Sequence, residues 1–81
     1  MDGWLTSEKE NWTLRFHLDT QSWLRDPWMF IDKGRDLGDG QPPLLKSRQH
    51  LRKAEAKQVW KTLVQQGWTK TTPAWGPDAD P

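Results

Sequence analysis

The hydrophobic period changes once along this chain, and that change limits the folds open to it. In "WTLRFH", residues 12–17, Trp12, Leu14 and Phe16 alternate with Thr13, Arg15 and His17, the period of a half-buried strand. Over about residues 52–66 the period is helical: Ala56, Val59, Trp60 and Leu63 share one face, with Val64 on its margin. Glu55 falls in the first turn, where the helix dipole favours an anion. Gly67 is placed to stop the helix as a left-handed cap, with Trp68 folding back on Leu63. Leu51 lies off the helix face and belongs just before it, stapled against the first turn.

The remaining segments fit a sheet. "GWLTS" precedes the alternating run as a short strand, with "EKEN" as the hairpin loop. Asp19 is placed to cap a helical turn carrying Trp23 and Leu24. Pro27 biases Asp26 out of helical space, so the strand "WMFID" can start just after it. That strand is apolar on both faces, which predicts a central position. "KGRDLGDGQPP" (33–43) reads as loop, "LLKSR" as extended, and "WTKTT" as a possible last strand. The predicted class is α+β: a small antiparallel sheet of three to four strands covered by one C-terminal α-helix. The sequence predicts a single domain over 3–72 and a disordered tail over 73–81.

A chain of 81 residues with 33% hydrophobic residues and a mean hydropathy of −1.00 has little aliphatic material for a core. Its seven tryptophans make up the deficit, each offering about 150–250 Å² to bury. Most are therefore expected in or beside the core, and Trp12, Phe16, Trp28 or Met29, Trp60 and Leu63 are expected to share it. Trp23 and Trp75 are the two least tied to that core. They are possible aromatic contacts for a base or a protein partner, against the plainer alternative of packing.

With no cysteine there is no disulfide framework and no thiolate chemistry. The first ten residues lack the basic start and apolar run of a signal peptide, and no apolar stretch reaches membrane-spanning length. The expectation is a cytoplasmic protein without a membrane span.

Catalytic and metal-binding motifs are weak. His17, Asp19 and Ser22 lie close in sequence, but His17 sits opposite the apolar stripe of its strand and is expected to be an exposed surface histidine. "DKGRDLGDG" imitates a calcium loop from Asp32 and fails at Gly34, Leu37 and Pro43. The glycines form no dinucleotide fingerprint, and two histidines without cysteines make a poor zinc site. Neither a catalytic residue, a metal nor a cofactor is called, and the protein is not expected to be an enzyme.

Charge distribution is the strongest functional hint. Residues 1–43 carry five Lys/Arg and eight Asp/Glu; residues 44–72 carry seven Lys/Arg against Glu55 alone. Lys53, Lys57 and Lys61 form a like-charge row on the helix, and Lys46 and Arg48 extend the patch ahead of it. Such a row suits an anionic partner; the plainer reading is a solvated helix face.

"RFHLDTQSWLRDPWMFIDKGR", "PPLLKSR" and "VWKTLVQQGW" resemble a family of short, Trp-rich cyanobacterial proteins catalogued as a domain of unknown function, over roughly residues 3–75. Asp-Pro-Trp and Pro-Pro-Leu-Leu-Lys-Ser-Arg are the most specific parts of the likeness. The family pattern has Ser or Thr before the helix where this chain has Arg52, which weakens the N-cap by about 1 kcal/mol and puts the helix start in doubt. The resemblance implies a compartment and a lineage, and no activity or site. The expectation is thus a non-enzymatic binding or adaptor module acting through a protein partner. The alternative is a nucleic-acid-binding module using the basic face of helix 52–66. The oligomeric state is left open.

Overall fold

The structure, a computed structural model, describes residues 2–81. Alternation produces strands β1 (Gly3–Ser7), β2 (Trp12–Leu18) and β3 (Trp28–Arg35), which form an antiparallel meander. Asn11 closes the first hairpin with φ 58°, a left-handed conformation that Asn tolerates better than most residues. A fourth strand, β4 (Leu44–Arg52), pairs with β3, and helix α1 (Lys53–Gln65) follows it without a loop. The helix crosses the sheet and delivers β5 (Thr69–Lys70) to β1, giving the order β4-β3-β2-β1-β5.

The sheet thus has five strands rather than three to four. β4 escaped the period-two reading because its inward positions Ser47 and Gln49 are polar; its pairing with β3 sustains it instead. The expected 33–43 loop is likewise shortened. β3 runs on to Arg35, and the β3–β4 register shifts between Lys33 and Gly34. Lys33 opposes Ser47 and Gly34 opposes Leu45, so that Lys46 is left as the extra residue on β4.

The helix packs one face of the sheet, where Leu5, Phe16 and Met29 are fully buried along with Ala56. Leu14, Ile31, Leu51 and Trp68 complete the core, with Trp12, Val59, Trp60 and Leu63 packed at its margin. Trp60 meets Phe16 edge-on at 5.0 Å between ring centroids and lies flush on Gly3, where a Cβ would come within 2.8 Å of the indole. Trp28 points to the other face, so of the pair Trp28 and Met29 it is Met29 that joins the core.

Arg52 supplies no side-chain cap to the helix; the Lys53 N–H instead reaches the Pro27 carbonyl at 2.9 Å. At the other end Gly67 has φ 99°, Trp68 N donates to Leu63 O and Gly67 N to Val64 O. This paired bonding satisfies the last carbonyls and turns Trp68 into the core. Residues 73–81, for which the sequence predicts disorder, contain no helix or strand and run across the open face of the sheet.

Candidate functional site

The open face is built from the alternate positions of the same strands: Trp4 on β1; Arg15 and His17 on β2; Trp28, Phe30 and Asp32 on β3; Arg48, His50 and Arg52 on β4. Asp32 is its centre. It is 0% exposed and takes Arg48 Nε on Oδ1 at 2.6 Å, Arg48 Nη2 on Oδ2 at 3.0 Å and His17 Nε2 on Oδ2 at 2.8 Å. Burial pushes the carboxyl up, but the bonds and charges of Arg48 and His17 outweigh it and hold Asp32 below the usual carboxylate range. The same carboxylate raises Arg48. A charge this deep persists only when paired and bonded, as this one is.

Beside the pair runs a row of rings. His17 and Phe30 lie 5.4 Å apart between centroids, Phe30 and His50 are stacked at 4.6 Å, and His50 and Trp28 lie at 4.9 Å. Arg48 covers Phe30 at 4.7 Å. The row and Asp32 were not legible as a site. The one signal was Asp32 itself, a charge closing an otherwise apolar strand.

A loop from Asp19 to Pro27 stands at the edge of this face. Asp19 Oδ1 accepts the Gln21 N–H at 3.0 Å and Asp19 Oδ2 meets His50 Nε2 at 2.9 Å. Ser22 Oγ donates to the Asp19 carbonyl at 2.6 Å and accepts the Trp28 N–H at 3.0 Å, fastening the loop to β3. The expected helical turn is replaced by this side-chain-braced turn, since Asp19 and Ser22 bond the backbone locally. His17 and Asp19 do not pair: His17 bonds Asp32 and Asp19 bonds His50. His17 is also no exposed surface residue; its side chain is 15% exposed. At the loop tip Trp23 is 76% exposed and Leu24 94%. Trp23, Trp28 and His50 flank a cleft of about 330 Å³.

The predicted basic patch is divided by the sheet. Arg48 lies on the open face, against Asp32 and Asp80, while Lys53, Lys57 and Lys61 lie on the helix of the other face. Lys46 is exposed at the β3–β4 irregularity. Lys57 and Lys61 are exposed, Lys53 is half-buried, and none has a carboxylate at ion-pair distance among the described residues. Asp26 and Pro27 share a recess with Arg52, Lys53 and Lys57, so the basic start of the helix adjoins the base of the loop. Trp75 is half-buried, edge-on to Trp4 at 4.6 Å and seated over Gly34, where a Cβ would lie 2.8 Å from its ring. Its indole N–H is buried without a partner.

Among the described residues no cluster of three or more His, Cys, Asp or Glu is placed to hold a metal ion, and no helix is long and apolar enough to cross a membrane. No curated protein and no solved structure matches the chain. A family model does match, over residues 2–75, and includes every strand, the helix, the Trp23–Leu24 loop and Trp75; the chain belongs to this family, described as "Protein of unknown function (DUF1651)".

Proposed function

We propose that the protein is a non-enzymatic adaptor of the cytoplasm that docks on a partner protein through Trp23 and Leu24. One observation carries this reading: two adjacent large apolar side chains are exposed on a loop braced by four side-chain hydrogen bonds of Asp19 and Ser22. A braced loop loses little entropy on binding, and Trp is among the residues enriched as interface anchors. The neighbouring cations Arg25, Arg52, Lys53 and Lys57 define the rest of the partner's surface, an apolar pocket edged with carboxylates.

The test compares wild-type bait with a Trp23→Ser/Leu24→Ser variant in native lysate, with anionic vesicles as a second arm. The expected result is a defined protein held by wild type, lost from the double variant and weakened by Arg25→Glu. Loss of an anchor of this kind costs at least about 2 kcal/mol of binding, roughly 30-fold. The same proteins on both baits would contradict the reading; so would loop-dependent binding to vesicles alone, which would make the loop a membrane contact.

A second reading, nucleic-acid binding by the helix face, rests on the unpaired row Lys53, Lys57 and Lys61. Its mark is a steep loss of affinity with salt, abolished by Lys57→Glu.

A further inference from the structure

We propose that the open face between Arg15 and Arg48 is a binding site for single-stranded nucleic acid, occupied in this structure by the protein's own acidic tail. Arg15, Asp32 and Arg48 stand in one row, directly opposite one another across β2, β3 and β4. The buried Asp32 grips Arg48 through Nε and Nη2, which fixes the guanidinium and leaves Nη1 for a group outside the sheet. That group is now the Asp80 carboxylate, at 2.7 Å. Arg15 Nη1 is likewise taken by a tail oxygen, the Pro77 carbonyl, at 3.1 Å. Two arginines, two strands apart, thus both direct donors at oxygens laid over the sheet.

The tail is a weak occupant. Asp80 is 71% exposed, so its pairing with Arg48 is screened by water. Trp75, which leads the tail onto the face, buries an indole N–H without a partner, a cost that moving the tail would relieve. Pro77 and Asp80 also lie beyond the family match, which ends at Trp75, whereas both arginines lie within it.

The rings choose the ligand. An acidic peptide would satisfy the arginines alone, but here Phe30, His50 and Trp28 form a row beside Arg48, and the His50 side chain is 46% exposed. Phe30 is already covered by Arg48 and His50, so the aromatic surface open to a base is that of Trp28 and His50 where they line the cleft beside Trp23. A base entering there stacks while its phosphate bonds the guanidinium, and only unpaired bases can splay out to do so. A duplex offers this face its phosphates and nothing for the rings. The site is distinct from the helix row. It adjoins the Trp23–Leu24 loop, with which it shares the cleft of Trp28 and His50, but its phosphate contacts are Arg15 and Arg48 and not the loop tip.

The test is fluorescence anisotropy of labelled ten-nucleotide oligouridylate and oligothymidylate with the full-length chain. In Asp78→Asn/Asp80→Asn the tail keeps its length and loses its charge, and affinity is expected to rise about tenfold. Adding Arg15→Gln, which leaves the Asp32–Arg48 pair intact, is expected to remove the gain; Arg15→Met, equally without charge, is the substitute if the first variant fails to melt cooperatively. A Glu8→Gln/Asp39→Asn variant removes the same charge from exposed loops elsewhere and is expected to give no comparable gain. The proposal is overturned by equal binding with and without the tail charges, by no binding in either, or by an equal gain in the Glu8/Asp39 control. Duplex binding as tight as single-strand binding overturns it too, as does a gain that depends on Lys57 and not on Arg15.

Discussion

On the covered face of the sheet, Leu5, Phe16 and Met29 are buried by the helix and hold it by contact alone; on the open face, Asp32 is buried as deeply and held by Arg48 and His17. The first face gains from moving apolar area out of water, a term with no titrating group in it. The second balances a desolvated charge against its partners, so it responds to protonation. The covered face keeps the domain folded, and the open face with its flanking loop is where the proposed partner and ligand would dock.

Trp60→Ala should give the largest effect, about 3–5 kcal/mol by denaturant melt, since it strips the packing from both Phe16 and Gly3. A cooperative melt at the wild-type midpoint would break the assignment of that face. Asp32→Asn should cost about 3 kcal/mol near neutral pH, because Arg48 and His17 lose their common counter-charge. Asp32 is depressed in the folded state, so its contribution is full above the ordinary carboxylate value of 3.8 and lost as pH falls through the folded value. The wild-type and Asn curves should therefore converge in acid; curves that stay parallel to low pH would show that the buried charge stabilises nothing.

The covered face was also the legible one. Alternation in "WTLRFH" and the 3.6 period over Ala56, Val59, Trp60 and Leu63 report burial directly, and the Gly67–Trp68 turn is local chemistry. The open face depends on partners far apart in the chain: Asp32 with His17 and Arg48, Asp19 with His50. No local period records such pairing. β4 was hard to read for a related reason, since its inward positions are Ser47 and Gln49. The candidate patch suffered most, because Arg48 and the lysine row are close in sequence and lie on opposite sides of the sheet.

Two smaller perturbations sharpen the contrast. Gly34→Ala should cost about 1–2 kcal/mol, because its new Cβ meets Pro43 at 3.1 Å as well as the Trp75 ring. The tail can give way and Pro43 less so, which increased hydrogen exchange confined to the tail side would record. Lys57→Glu should leave the fold intact and raise stability by a few tenths of a kcal/mol, about 0.2–0.5 for each of the pairs with Lys53 and Lys61. A clear loss in the melt would show that Lys57 already has a structural role.

The proposed docking role requires that Trp23 and Leu24 stand clear of the domain rather than pack into it. The thermal melt of Trp23→Ser/Leu24→Ser tests this most directly. With 76% and 94% of these residues already in water, the midpoint should equal the wild-type value or rise slightly. A fall of more than about 5 °C, equivalent to roughly 1 kcal/mol in a domain of this size, would mean that the loop tip is part of the core after all.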